Sequence, residues 1–363
     1  MKKHLLISIM LLTATLGAHA QSKYSNEFLS LGIGARGLAM ANTMCAISDD
    51  VTAAYWNPAG LGRMDKKYQL ALMHAEYFAG VAKYDYAGIG YKIDGRSNVA
   101  LSYIRFGVDN IMNTTELIDA QGNVDYDRIS YFSASDNALL LSYAYNFENV
   151  PGLALGANAK IIYRNIGKFA HAWGFGLDFG LQYNHKGWQA GAMLRDGTST
   201  FNAWSYQLTD QIIDVFNQTG NEIPENELEL TMPALMLGAG KYVELGKGFN
   251  ATFALGLDCT FDGKRNTLIR SNVLSMDPHF GMEFAYKKIV ALRAGIGNFQ
   301  QEPDFDGKKK TTLQINLGVG VCIKNIVSID YAFTDLGDIS IAQYSHIVSL
   351  KVAIDNFKKQ PKN

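Results

Sequence analysis

Past its first twenty residues the chain has no run of about eighteen consecutive apolar residues, the length an α-helix needs to cross roughly 30 Å of hydrocarbon. That absence excludes a helical membrane protein. Cysteine is scarce and odd in number: Cys45, Cys259 and Cys322 are too widely spaced for a metal or disulfide pattern, so buried or lipid-facing free thiols are expected. Charge is also thin. Charged residues make up 18%, the formal net charge is −1, and loss of Lys2 and Lys3 with a leader takes it to −3, which speaks against a nucleic-acid partner. The later histidines (His74, His171, His185, His279 and His346) show no hydrolytic arrangement with serine and carboxylate, and Ser345 and His346, as strand neighbours, point to opposite faces. No catalytic residue, metal site or cofactor is read from the sequence.

The start of the chain reads as a secretory signal over residues 1–20. Basic Lys2, Lys3 and His4 run into the mostly apolar stretch from Leu5 to Leu12 and then the small-residue site Ala18-His19-Ala20. The mature chain is expected to begin near Gln21. No cysteine stands directly after that site, the nearest being Cys45 far downstream, so a lipidated N-terminus is not expected.

What is present is glycine and aromatics, with 35 Gly, 19 Phe and 19 Tyr in a chain that is 48% hydrophobic. Side chains of a strand alternate faces, so a membrane barrel strand shows about ten residues alternating apolar-out with polar-or-small-in. From Trp173 the pattern is clean: Trp173, Phe175, Leu177, Phe179, Leu181 and Tyr183 alternate with Gly174, Gly176, Asp178, Gly180, Gln182 and Asn184. The same alternation places strands near 67–78, 81–93, 97–108, 136–147, 152–165, 171–184, 187–197, 233–243, 248–262, 276–287, 289–299, 310–323, 326–336 and 343–355. That is fourteen, an even number, as single-chain bacterial barrels require.

The connections support the count, because such barrels put short turns on the periplasmic side and long loops outside. Short links follow the even strands, and the long ones near 109–135, 198–232, 263–275, 300–309 and 337–342 follow odd strands. A soluble β-sandwich is the competing architecture, but its second face would not be so heavily glycine. The expected fold is therefore all-β, a transmembrane antiparallel β-barrel of about 14 strands over residues 67–357, with a polar tail at 358–363.

Residues 21–66 do not alternate and are too apolar for a free tail, so they are expected to fill the barrel as a plug whose small residues allow close backbone contact. Gly34-Ala35-Arg36-Gly37, then Asp49-Asp50, then Asn57-Pro58-Ala59-Gly60-Leu61 just ahead of the first strand stand out. Proline fixes its own φ and pushes Asn57 toward an extended conformation, so Asn57-Pro58 reads as a turn feeding that strand or, more sharply, as a gate element. Asp49-Asp50 reads as a helix N-cap in preference to a lumenal charge pair.

At these residues the chain resembles the FadL-like outer-membrane superfamily, in particular its PorV/PorQ branch from the Bacteroidetes. The resemblance covers about forty N-terminal residues by motif and the rest by architecture. It implies an outer-membrane protein that, like PorV-type components of the type IX secretion system, binds or escorts secreted cargo carrying C-terminal sorting domains alongside a large translocon. The alternative it implies is a FadL-like channel that takes up hydrophobic small molecules through the lumen.

Parity assigns Lys160, Arg164, Asp178, Arg195, Asp258, Glu283, Arg293, Asp330 and Lys351 to the lumen. Both signs occur, which predicts internal ion pairs in preference to a single-sign filter. In the long fourth outer loop, Leu208, Ile212, Val215 and Phe216 form the apolar stripe of an amphipathic helix, with Ile213 off it; packing on the rim is expected, a partner or ligand surface being the sharper option.

Overall fold

A computed structural model describes residues 25–78, 80–117, 123–303, 309–336 and 344–355. The leader, the expected start at Gln21 and the polar tail lie outside the described residues.

The wall is an antiparallel sheet closed on itself. Its segments in chain order are β1 (Tyr68–Tyr77), β2 (Ala82–Lys92), β3 (Ser97–Asn113), β4 (Ser130–Asn146), β5 (Leu153–Ile166), β6 (Ala170–His185), β7 (Trp188–Arg195), β8 (Phe201–Tyr206) and β9 (Leu228–Leu230), followed by β10 (Ala234–Gly246), β11 (Phe249–Thr260), β12 (Ile269–Arg270), β13 (Ser275–Tyr286), β14 (Val290–Pro303), β15 (Lys309–Ile323), β16 (Val327–Thr334) and β17 (Ser345–Ile354). Closure comes from β1 pairing with β17, Tyr68 opposite Ile354. Three segments are not independent staves. β8 continues the line of β7 against β6, β9 precedes β10 and pairs with β8, and β12 is a two-residue flap on β13. The result is a closed fourteen-stranded antiparallel barrel.

Three boundaries differ from the sequence expectation. The β3–β4 ladder reaches Asn113 and begins again at Ser130, past a register shift between Val108 and Ile111. The alternation fades there because polar Asp109, Asn110, Ser133 and Ser135 replace the apolar outer face; a strand that rises beyond the hydrocarbon has no lipid to satisfy. The seventh strand, expected to end at 197, leaves the ladder at Asp196 (φ +54°), and Ser199 (φ +58°) turns the chain back before β8 resumes. The β14–β15 ladder runs on to Pro303 and Lys309, shortening the loop expected at 300–309.

The outer face is oily and the inner face is filled. Trp173, Phe175, Phe179, Leu181 and Tyr183 are exposed on β6, while Gly174, Gly176, Asp178, Gly180 and Gln182 between them are buried. Aromatic residues ring the short-turn end, with Tyr68 against Tyr91 and Phe249 against Tyr286, and the opposite end, with Tyr163 against Trp173 and Tyr331 against His346. Such girdles sit where the hydrocarbon meets the headgroups. His346 bonds Tyr331 across the outer face at 2.6 Å while Ser345 is buried, so the pair faces opposite ways as expected. Among the thiols, Cys259 is buried on the outer-facing parity and Cys45 inside the barrel, but Cys322 lines a lumenal cavity, neither fully buried nor lipid-facing.

The fourth outer loop carries a helix, Asp210–Thr219, ended by Gly220 at φ +67°. Ile212 is buried, and Val215 and Phe216 are half-buried. Leu208 lies ahead of the helix, before the Thr209 cap, and Ile213, expected off the stripe, is half-buried four residues into it. That is the spacing of a residue before the cap packing on the fourth helical residue.

The lipid face gives a direct test. Leu255, exposed in the middle of β11, should destabilise the barrel by about 2–4 kcal/mol when replaced by arginine, whereas Leu245→Arg beside a short turn should cost about 0–1 kcal/mol. Urea unfolding in lipid vesicles reads the difference; equal costs at both positions would show that the band is not at membrane depth.

Candidate functional site

The lumen is occupied by residues 25–66, built from short helices α1 (Ala35–Ala39) and α2 (Ala53–Trp56) and a 3-10 segment, Pro58–Arg63. No helix here is long enough to be stable alone. The segment holds its shape because its apolar side chains pack on one another and on the wall: Ile33, Ala35, Met40, Val51 and Leu61 have no measurable exposure.

Glycines on the inward face of the wall set how closely it fits. A Cβ on Gly156 would lie 2.3 Å from the Pro58 carbonyl carbon and the Ala59 nitrogen, and one on Gly180 would lie 2.1 Å from the Asn57 side-chain oxygen. On Gly191 it would meet the Cys45 carbonyl oxygen at 2.3 Å, and on Gly295 the Ala41 nitrogen at 2.4 Å. Plug backbone and wall backbone are in contact around the barrel, with no room for a methyl group between them.

The motif residues serve that fit. Gly34 takes φ +74° ahead of α1, which a side chain would strain. Gly37 lies under the Trp56 ring, its Cβ position 2.6 Å from the indole, and Gly60 lies under the Ser48 carbonyl oxygen at 2.4 Å. Asn57 is extended and fully buried; its amide donates to the carbonyl oxygens of Cys45 (2.9 Å), Leu181 (3.0 Å) and Ala192 (3.3 Å), while its oxygen accepts from Ala59 N–H. One side chain thereby joins the plug to both β6 and β7. Pro58 opens the 3-10 segment, and Ala59 abuts Gly156.

The acidic pair differs from the cap expectation. Asp50 accepts the Thr52 N–H at 2.9 Å, but Thr52, not Asp50, holds the cap position of α2, and Asp50 gives its other oxygen to Lys351 at 2.6 Å. Asp49 pairs with Arg36 at 2.9 Å, and Arg36 reaches Glu283 on β13 at 3.1 Å. Both acids are thus parts of lumenal charge pairs. Burial alone would raise the Asp50 carboxyl, but the Lys351 ammonium and the Arg36 guanidinium outweigh it and hold the group below the usual carboxylate range. Burial pushes the Cys45 thiol up to about 12, away from the thiolate form.

All nine lumenal charges lie on the inward parity. Arg293 bridges Glu283 and Asp330 at 2.6 Å each, and Arg164 bridges Asp136 at 2.8 Å and Glu229 at 3.3 Å while stacking on Trp204. Lys160, fully buried, takes Asp178 at 2.8 Å and also Asp196. Arg195 donates to the Leu29 carbonyl oxygen at 3.1 Å and lies over the Tyr55 ring. Three of these charges (Lys351, Glu283 and Arg195) are spent on the plug. Sequence parity could not name partners such as Asp196, which turns inward only because β7 breaks there.

The plug divides the lumen into two cavities. On the short-turn side a space of about 570 Å³ is lined by charged groups including Arg36, Asp49, Asp50, Arg63, Glu283 and Lys351. On the long-loop side a space of about 620 Å³ is mixed: Leu29, Leu31, Leu38, Tyr77, Phe78 and Met236 form an apolar part, and Asp258, Asp277 and His279 stand on the polar part. Asp277 and His279 were legible as lumenal by parity, since they share the face of Glu283, but nothing local marked them.

No protein-family model and no curated protein matches the chain. Solved structures do. Over 90% of this chain and 99% of the other it is similar to the CymD monoaromatic hydrocarbon channel, with TM-score 0.56 and 13% identity. It is likewise similar to the Pseudomonas putida toluene transporter TodX (TM-score 0.56, 12% identity, 88% and 98% covered) and the Ralstonia pickettii toluene transporter TbuX (TM-score 0.50, 14% identity, 89% and 98% covered). The chain has the FadL-like outer-membrane barrel fold. The likeness reaches that level only, and the PorV/PorQ branch and Bacteroidetes origin implied by the motif gain nothing from it.

Cys45 reports on the plug. In a Cys259→Ser/Cys322→Ser background it should resist a maleimide in the folded barrel, and Asn57→Ala or Gly180→Leu should speed its labelling at least about tenfold by favouring local opening of the plug. Equal labelling rates with and without these changes would show that the wall contacts do not seat it.

Proposed function

We propose that the protein is an outer-membrane channel for hydrophobic small molecules, the plug acting as the gate between its two cavities. The observation that carries this reading is the outer cavity. At about 620 Å³ it matches the size of small-molecule sites, it is apolar on one side, and its floor is plug, not wall. A solute held there meets Leu38 and Ala41 of the plug, so passage requires those residues to shift. The structural neighbours TodX and TbuX are toluene transporters, which agrees with a solute of this class.

This reading takes precedence over escort of type IX secretion cargo. Of the residues on which that resemblance rested, Gly34, Gly37, Asn57, Pro58, Ala59 and Gly60 are buried against the wall or one another, and Arg36, Asp49 and Asp50 are ion-paired inside the lumen, so the motif does not lie on the outer surface of the barrel. Lipid is the partner of the outer band under either reading. The protein is read as a channel and not an enzyme.

A deletion strain separates the two functions. Uptake of a hydrophobic compound such as toluene should fall and be restored fully by the wild-type chain but only in part by Met236→Trp, which narrows the outer cavity. Surface delivery of proteins with C-terminal sorting domains should continue. Lost delivery with normal uptake would reverse the assignment.

A further inference from the structure

The polar part of the outer cavity gathers two carboxylates, Asp258 and Asp277, whose basic neighbour is His279, 3.9 Å from Asp258 Oδ1. Asp258 on β11 and Asp277 on β13 are direct cross-strand partners on the inward face, and both line the cavity. Like charges in that position repel, and a strand pair ordinarily avoids them. Nearby cations are otherwise engaged: Arg265 holds Asp262 at 2.6 Å and Glu27 at 2.9 Å, Lys160 is enclosed by Asp178 and Asp196, and Arg195 is drawn to Leu29 and Tyr55.

Two acceptors beside the pair are also unused. The Asp277 Oδ1 atom is buried with no hydrogen-bond partner. His279, one pair further along the ladder and 8% exposed, makes no hydrogen bond among the described residues; its Nε2 lies 3.9 Å from Asp258 Oδ1, too far for one. A buried acceptor without a donor is costly, and two adjacent carboxylates raise that cost. Among the described residues no group of three such side chains converges as a metal site would.

We propose that the outer cavity selects amphipathic molecules with a cationic amine head: the ammonium lies between Asp258 and Asp277 with the His279 ring beside it, and the hydrocarbon lies on Leu38, Met236 and Phe78. An alkylammonium supplies three donors and a compensating charge. An alkyl carboxylate of the same length brings a third negative charge to the same place, and an alcohol brings a single donor and no charge. This inference rests on the channel reading and narrows it to one class of solute.

The test is equilibrium dialysis of octylamine, octanol and octanoate against the mature protein in lipid nanodiscs near neutral pH, with binding to empty nanodiscs subtracted. Octylamine should bind at least about tenfold more tightly than octanoate, and more tightly than octanol. Asp258→Asn/Asp277→Asn should abolish that preference while leaving octanol binding within about twofold. Asp277→Asn alone should reduce it, and heat-shifted gel mobility identifies folded variants. If octanol or octanoate matches octylamine, or the doubly substituted barrel keeps the amine preference, the head-group inference is overturned and the channel reading stands. If none of the three binds above empty nanodiscs, both fall.

Discussion

Contact between the plug backbone and the glycine face of the wall is the constraint on which the rest of the lumen depends. Gly156, Gly180, Gly191 and Gly295 place main chain against main chain, leaving no layer of side chains or water between. Polar groups brought that close must be satisfied by one another, and Asn57 does this for the carbonyls of Cys45, Leu181 and Ala192. The rigid wall thus holds in place short helices that would not persist in solution.

Charge follows from the same fit. Once the plug fills the middle of the barrel, wall charges at that height are held back from bulk water and lie against an opposite charge or hydrogen-bond partner on the plug or a neighbouring strand. Lys351 finds Asp50, Glu283 finds Arg36, and Arg195 finds the Leu29 carbonyl and the Tyr55 ring. The break after β7 belongs to this pattern, since it turns Asp196 inward onto Lys160. Above the plug the pattern stops, and Asp258, Asp277 and His279 keep unused hydrogen-bonding capacity beside an apolar wall.

Division of the barrel also gives the two ends different chemistry. The short-turn cavity is lined by ion pairs and suits water. The long-loop cavity combines Leu31, Leu38, Phe78 and Met236 with a polar corner. On the channel reading proposed above, a hydrophobic solute is favoured on one side of the plug only, and transit becomes a question of plug movement in place of pore width.

Sequence alone determined the barrel and its strand number, because two-residue alternation is local and each strand carries its own copy of it. It also marked Gly34, Arg36, Asn57 and Pro58 as special without saying why. Where alternation weakened, at the outer ends of β3 and β4, the strands ran on unseen. Only the tertiary structure decided which charges pair, that Asp50 meets Lys351 across 301 positions of sequence, and that Asp258 faces Asp277 with no cation between them. Those facts depend on the register between strands and on the depth at which the plug seats, and both are set by packing across the closed barrel.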